Sequence, residues 1–238
     1  MASHPAVELI KVTKLFPPDV HALNGVSLTI GRGEMVFLTG PSGAGKTTLL
    51  RLISRMESPT AGVVEVGGRD LATLKRREIP GFRERMGIVH QDFRLLDQAS
   101  AFANVAMALE VSYTPPRVIA RKVGEILDAL GLDDKLETPV ANLSRGEQQR
   151  VAIGRAMVHE PAVLLADEPT GNLDAAMGAQ VIRLFERLNA AGTTIVFASH
   201  DEDIYRHTHR RVLSLDKGRL VLTNEPLCPD RSQRCRLS

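Results

Sequence analysis

The sequence has little cysteine and no long apolar run. Its two cysteines, Cys228 and Cys235, both lie within the last 11 residues. Two thiols cannot complete a tetrahedral zinc site, and disulfides are rare in the cytosol, so we interpret both as free surface thiols. No apolar run approaches the roughly 18 residues that a membrane-spanning helix needs.

A secretion signal and an excess of charge of one sign are also lacking. The first ten residues do not combine a charged segment with an apolar one, so we expect the protein to be made and kept in the cytosol and to reach a membrane only through a partner. Lys and Arg total 30 against 28 Asp and Glu. The short basic stretches at 75–85 and 231–236 are interpreted as solvated surface, and we expect no nucleic-acid partner.

What is present is typical of a soluble globular protein with a substantial core. Hydrophobic residues make up 43% of the 238 residues and charged residues 24%. A chain of this length forms one large domain or a core with a sizeable insertion. Short apolar runs predict strands at 7–12, 26–30, 34–39, 63–66, 87–89, 163–166, 194–198, 212–215 and 219–222. Helical patterns between several of these predict a parallel α/β core.

The pattern changes to a helical one between residues 92 and 142. Apolar side chains at helical spacing, from Phe102 to Leu109, predict one helix, and residues 119–130 predict a second, amphipathic one. We therefore expect a core formed by residues 1–91 and 143–224, with 92–142 as an inserted helical segment. The polar stretch 225–238 is predicted to be a disordered tail.

A glycine-rich loop follows the apolar run 34–39 and precedes a helical pattern. The segment has the spacing of a phosphate-binding loop and consists of Gly40, Pro41, Ser42, Gly43, Ala44, Gly45, Lys46, Thr47 and Thr48. Its glycines allow backbone N–H groups to surround phosphates, Lys46 supplies charge, and the Thr47 hydroxyl is a Mg²⁺ ligand. The alternative is an ordinary glycine turn, which the flanking buried strand and apolar helix disfavour. The loop alone specifies neither the nucleotide nor hydrolysis.

Two adjacent acids, Asp167 and Glu168, end the apolar run 163–166. In a parallel sheet this position lies beside the phosphate loop, so Asp167 is a candidate ligand of the Mg²⁺ ion that Thr47 would also bind. Glu168 is then the candidate base that orients and deprotonates a water. The alternative, a strand that simply ends in solvated acids, is disfavoured by the presence of the phosphate loop.

The segment LSRGEQQR, at 143–150, narrows the class of protein. Ser144 and Gly146 at the start of a helix form a second anion site by the same physics as the first. Two anion sites on one chain predict that two copies share nucleotides, each closing the other's pocket.

With these motifs in this order, nearly the whole chain resembles the ATP-binding-cassette (ABC) ATPases. The resemblance implies a P-loop core of the RecA type, an N-terminal antiparallel β subdomain and an inserted helical subdomain. It implies that Phe16 stacks on adenine, although the family usually has Tyr there. It also implies that Gln91 senses the γ-phosphate and Mg²⁺, and that His200 contacts the γ-phosphate. Ser144 and Gly146 would cap the ATP of the opposite subunit, and residues 172–174 would lie at the dimer seam.

Two features depart from this pattern or compete with it. The family usually has Gly where this chain has Arg145, whose side chain either points outward or adds a cation near the phosphates. The same arginine favours the alternative of a scaffold that binds ATP without useful turnover. His200, with His207 and His209 nearby, would also suit a metal site, but their spacing fits no single helix face.

Within the family, the segments 37–50, 77–96, 143–156 and 161–174 resemble the cell-division branch. That resemblance implies an ATPase with ATP and Mg²⁺, a homodimer formed on ATP binding, and a partner with four transmembrane helices, with other division proteins as further candidate partners. It places the protein at the cytoplasmic face of the bacterial inner membrane, at the septum. The alternatives are an ATPase for lipoprotein release or macrolide efflux, or a soluble cassette protein. Residues 91–96 and the helical insertion are the predicted partner contact, unless Phe93 and Leu95 belong to the core.

Overall fold

The computed structural model describes residues 4–171, 173–205 and 209–224. Its strands are β1 (Val7–Phe16), β2 (Val20–Ile30), β3 (Met35–Thr39), β4 (Ala61–Val66), β5 (Arg69–Asp70), β6 (Met86–Val89), β7 (Val163–Asp167), β8 (Thr194–Ala198), β9 (Arg211–Asp216) and β10 (Arg219–Asn224). Its α-helices are α1 (Lys46–Ile53), α2 (Ile79–Glu84), α3 (Ala101–Val111), α4 (Pro116–Ala129), α5 (Arg145–Met157), α6 (Ala175–Ala190) and α7 (Glu202–Tyr205). Short 3-10 helices cover Leu71–Thr73, Arg76–Glu78, Asp133–Lys135 and Val140–Asn142.

The larger sheet has the strand order β10-β9-β3-β8-β7-β6 within the described residues. Every neighbouring pair from β9 to β6 is parallel, and β10 is antiparallel to β9. All residues of β3, β7 and β8 are buried, which is why their sequences are almost continuously apolar. The predicted parallel α/β core is confirmed. Because β3, β8 and β7 are adjacent, the segments that follow them meet at one edge of the sheet.

The smaller sheet is antiparallel, with the order β2-β1-β4-β5. Its first strand pair is longer than predicted, since β2 begins at Val20 rather than residue 26. The extra residues pair with the end of β1, where Phe16 lies opposite Val20. Val20, His21 and Gly25 are exposed, Leu23 is buried, and apolar and polar residues do not alternate, so hydrophobic patterning gives no signal for this part of the strand. This extension brings Phe16 to the phosphate loop.

The larger sheet separates two hydrophobic cores, and alternate residues of its central strands face each. Phe37 and Phe197 point into one core, where they pack against Phe185 of α6 and the apolar faces of α3, α4 and α5. Val36 and Val196 point into the other, with α1 and the smaller sheet. Alternation on a two-sided buried strand follows from the period of two in β structure.

Helices α3, α4 and α5 form one packed layer. Helix α3 is capped by Ser100, whose Oγ accepts from the Ala103 amide at 3.1 Å. The apolar stripes of the three helices meet through Val105, Val123 and Val151. Both predicted helices of the 92–142 segment are present, whereas the boundaries of the insertion stay a prediction because α5 joins the same layer. Within the described ranges, every helix is too short or too polar to span a bilayer. The predicted tail, with Cys228 and Cys235, lies outside the described residues.

Candidate nucleotide-binding site

The loop between β3 and α1 follows the backbone path that its glycines predict. Gly40 and Gly45 have φ of 139° and 107°, in the region that favours glycine. A Cβ atom at Gly40 would collide with the carbonyl oxygen of Leu215, and one at Gly45 would collide with that of Ala22. The glycines are therefore required both by backbone conformation and by close packing against β9 and β2.

Lys46 is the first residue of α1, and its side chain turns back over the loop. The Nζ atom donates to the carbonyl oxygens of Gly40, at 2.6 Å, and Pro41, at 3.3 Å. The side chain is largely buried. A buried ammonium group beside the N-terminal N–H groups of a helix is a site for anionic phosphate oxygens.

A cleft of about 580 Å³ opens above this loop. It is lined by residues from several elements: Phe16, Val20, His21, Ala22, Pro41, Ser42, Gly43, Ala44, Gly45, Lys46, Thr47, Thr48, Gln91, Asp167, Glu168 and His200. The structure thus brings most of the predicted site residues to one cleft. Val20, His21 and Ala22 also line it; they were not predicted as site residues because they belong to the unpredicted start of β2.

Asp167 is the last residue of β7 and is buried at the floor of the cleft. Burial raises the pKa of its carboxyl group, and a hydrogen bond with the Thr47 side chain partly opposes this effect. The Thr47 hydroxyl, the Asp167 carboxylate and the Gln91 amide all line the cleft and supply oxygen ligands, the donor type that Mg²⁺ prefers. A cation there would stabilise the ionised carboxylate that burial disfavours, so these residues fit the ion.

Glu168 presents its carboxylate to the same cleft. Its Oε1 lies 2.9 Å from His200 Nδ1 and 3.8 Å from Lys46 Nζ. The Glu168 side chain is 15% exposed, whereas that of His200 is 69% exposed. A largely shielded carboxylate next to the lysine of the glycine-rich loop has a position suited to a general base in this cleft.

Gln91 begins a turn after β6 that is attached to helix α5. Phe93 and Arg94 in this turn both have positive φ, 56° and 52°. Arg155 of α5 donates to the carbonyl oxygens of Phe93, at 2.6 Å, and Arg94, at 2.7 Å. Residues 91–96 were expected to offer exposed apolar side chains to a partner. Leu96 does so, since it is 51% exposed, whereas Phe93 is buried within the turn. Leu95 packs against the core that contains Phe37 and Phe197.

Ser144 and Gly146 do not line the cleft; they lie at the start of α5. Ser144 is the N-cap, and its exposed side chain accepts from the Glu147 amide at 3.3 Å while Glu147 accepts from the Ser144 amide at 2.7 Å. The reciprocal pair holds the pKa of the Glu147 carboxyl below its usual value. The helix start is therefore formed and capped within one chain, with its serine facing solvent.

The Arg145 side chain neither points straight into solvent nor lines the cleft above the phosphate loop; it lies over an aromatic ring. Its guanidinium carbon lies 5.5 Å from the centroid of the Phe93 ring, a cation–π contact. It also lines a second cavity of about 430 Å³ that shares Thr47, Gln91 and Asp167 with the cleft. His90 lines this cavity too, and burial together with nearby arginines lowers its pKa to about 4.

The remaining predicted features are only partly within the described ranges. Asp174 caps α6 by accepting from the Met177 amide at 2.9 Å, while Asn172 lies outside the described residues. His207 lies outside them as well, so the alternative of a histidine metal site cannot be built from the full trio. Within the described part of the chain, no group of three or more His, Cys, Asp or Glu side chains is placed to hold a metal ion.

Comparison with known proteins identifies the family. The ABC transporter family matches residues 23–171. The chain is 46% identical to the cell division ATP-binding protein FtsE of Bacillus subtilis, over 90% of this chain and 94% of that protein. It has the same identity and coverage with FtsE of Mycobacterium tuberculosis. Among solved structures, the dimeric post-hydrolysis state of the ATP-binding cassette MJ0796 bound to ADP and Pi is similar, with 32% identity, a TM-score of 0.87, and coverage of 92% and 98%. The chain therefore belongs to the ABC transporter family and is one of its ATP-hydrolysing subunits.

Proposed function

We propose that this chain is the ATPase subunit of a cell-division complex, paired with a membrane protein of the FtsX type that has four transmembrane helices. The identity of 46% to two proteins named FtsE, over nearly their whole length, supports this assignment. In this proposal the chain lies at the cytoplasmic face of the inner membrane at the septum. Closure driven by ATP is relayed through the partner to peptidoglycan hydrolases, so the output is mechanical.

The proposed chemistry is in-line attack of a water on the γ-phosphorus of ATP: Glu168 accepts the proton of the water, the bond from the γ-phosphorus to the bridging β–γ oxygen breaks, and ADP and inorganic phosphate leave. The observation that carries it is the position of the Glu168 carboxylate, 3.8 Å from the phosphate-loop lysine and 2.9 Å from His200 Nδ1. Lys46 binds the β- and γ-phosphates, and His200 holds the γ-phosphate from the open side. Gln91 contacts the same phosphate, and Phe16 stacks on the adenine.

Mg²⁺ is the proposed cofactor, held by Thr47, Asp167 and Gln91. When bound, the ion neutralises charge on the phosphate oxygens. The buried Asp167 carboxyl, whose pKa is raised by burial, holds its proton less readily once a cation lies beside it. Thr47, on the first turn of α1, fixes that carboxyl through its hydrogen bond.

The proposed assembly is a dimer in which Ser144 and Gly146 of one copy close the cleft of the other. Two observations support it: the capped start of α5 is exposed, and it does not line its own chain's cleft. Backbone N–H groups and a serine hydroxyl at a helix N-terminus are donors for phosphate oxygens. The similar cassette MJ0796 is described as dimeric.

The membrane partner is tested by capturing the complex in its ATP-bound state. A tagged Glu168→Gln chain, expressed in the source cell, is purified from detergent-solubilised membranes with ATP and Mg²⁺, and its partners are identified by mass spectrometry. We expect a protein with four transmembrane helices, together with cells that fail to separate. Recovery of a lipoprotein-release or efflux subunit, with normal division, would overturn the cell-division assignment.

A further inference from the structure

A buried glutamine on α5 contacts the backbone of the proposed base. Gln149 is 2% exposed, and its Nε2 donates to the carbonyl oxygen of Glu168 at 3.1 Å. The two residues come from different layers of the fold, the helical layer and the end of β7. The bond therefore joins the helix that begins at Ser144 to the peptide that carries the Glu168 carboxylate.

The Glu168 peptide adopts a conformation that needs support. Its φ of 51° lies in the left-handed region, which is disfavoured for a residue with a Cβ atom. Such conformations persist where the surroundings fix them from more than one side. The Glu168 N–H donates to the carbonyl oxygen of Ala198 at 3.0 Å, and its carbonyl accepts from Gln149 at 3.1 Å and also, at 3.3 Å, from the amide of Gly171 in the following turn. The first bond ties Glu168 to β8, and the second ties it to α5.

The amide oxygen of Gln149, Oε1, is buried and lacks a hydrogen bond within the described residues. A buried acceptor without a partner is destabilising, and an apolar side chain of the same length would avoid that cost. The amide at this position is thus poorly suited to stability alone, whereas its donor holds the carbonyl of the peptide that carries the Glu168 side chain.

From these contacts we infer that Gln149 is a positioning residue for hydrolysis, which holds the Glu168 carboxylate in line with the terminal phosphate and ties it to α5. This inference depends on the proposed role of Glu168 as base. Gln149 follows Ser144 by only five positions on the same helix, so a displacement of the start of α5 by a second copy is transmitted to the Glu168 carbonyl. The position of the Glu168 carboxylate, and with it ATP hydrolysis, therefore depends on whether a second copy contacts the start of α5.

The first test replaces Gln149 with Met, which has a similar length and no amide. Steady-state ATP hydrolysis of the full chain is measured with radiolabelled ATP, so that slow turnover is detected. We expect kcat to fall about tenfold, as loss of one hydrogen bond to a strained carbonyl predicts, while KM for ATP stays within about twofold. The control is Gln180→Met on α6, which also loses one amide bond to a backbone carbonyl, that of Ala129 at 2.9 Å. Its kcat should be unchanged.

The second test uses Gln149→Glu, which keeps the shape and allows the donor to be titrated. Burial raises the pKa of a carboxyl group. The protonated carboxyl of the variant donates a hydrogen bond to the carbonyl oxygen of Glu168, whereas the ionised carboxylate repels that oxygen. The ratio of the variant's kcat to that of the parent should therefore rise as pH falls from about 8 to about 6. A purely structural role for Gln149 predicts a constant ratio.

Comparison with Glu168→Gln separates the possible failures. If Glu168→Gln abolishes turnover but Gln149→Met keeps the parent's kcat, or if the Gln149→Glu ratio is flat with pH, Gln149 does not position the base. If Glu168→Gln turns over at the parent rate, the proposed base itself is wrong. Thermal unfolding of each variant checks that the fold is intact. If a variant is destabilised, the pH dependence of the kcat ratio between Gln149→Glu and the parent still decides the question.

Discussion

The two halves of the proposed ATP site differ in how far one chain completes them. At the edge formed by β7 and β8, Glu168 lies within 4 Å of both Lys46 and His200. At the start of α5, Ser144 is exposed and makes its side-chain hydrogen bond within its own cap. This difference indicates that the groups proposed to bind and cleave phosphate come together within one chain, whereas the proposed second anion site at the start of α5 faces solvent. Gln149 of α5 connects the two regions through the carbonyl of Glu168, and Arg155 of the same helix attaches the turn that begins at Gln91.

The largest expected effect is on the assembled half. Glu168→Gln removes the proposed base but retains the size of the side chain. We expect kcat to fall about 10²–10⁴-fold, the usual contribution of a general base, with ATP affinity preserved. The matched control is Glu186→Gln, which removes an exposed carboxylate on α6. Equal kcat in the two variants would contradict the role of Glu168.

Lys46→Ala should have the next largest effect, and it acts on binding. The change removes the charge of the loop and the two hydrogen bonds to Gly40 and Pro41. We expect the Kd for ATP, measured by calorimetry, to rise about tenfold to a hundredfold, as loss of a charged hydrogen bond predicts. Lys122→Ala, which breaks only a peripheral ion pair with Glu160, is the control. An unchanged Kd would rule out the phosphate-loop assignment.

The exposed start of α5 is tested by comparing Ser144→Ala with Ser144→Gly. Alanine should lower the free energy of unfolding by about 1 kcal/mol through loss of the cap, and glycine by only a few tenths. Both lack the hydroxyl proposed to bind the partner's nucleotide, so both should lower kcat by a similar factor, about tenfold. Neither should change the ATP affinity of the monomer. If kcat instead follows stability, the serine serves only as a cap.

The smallest expected effect concerns Arg145, which lies between the two regions. Arg145→Ala removes the cation over Phe93, and we expect the free energy of unfolding in urea to fall by about 0.5–1 kcal/mol. Arg145→Lys keeps a cation and should lose less. A stability equal to the parent's in both variants would show that this contact contributes nothing to the attachment of the Gln91 turn to α5.

The sequence predicted the assembled half well because its strands are buried on both faces. Their continuous apolar runs in β3, β7 and β8 mark the elements, and parallel order brings the following loops to one edge. It could not predict the start of β2, where apolar and polar residues do not alternate. Nor could it predict the bonds of Gln149 to Glu168 and of Arg155 to Phe93. These are side-chain contacts between layers, and polar residues in a helix interior give no sign of which carbonyl they reach.

The central claim is that an exposed Ser144 completes the cleft of a second copy, and sedimentation velocity tests it directly. The Glu168→Gln chain, which should bind ATP without cleaving it, is compared with and without ATP and Mg²⁺. We expect a species of twice the chain's 26.0 kDa only when ATP is present, and we expect this species to be lost when Ser144→Arg is added. A chain that stays monomeric with ATP bound, or a dimer that Ser144→Arg leaves intact, would contradict it.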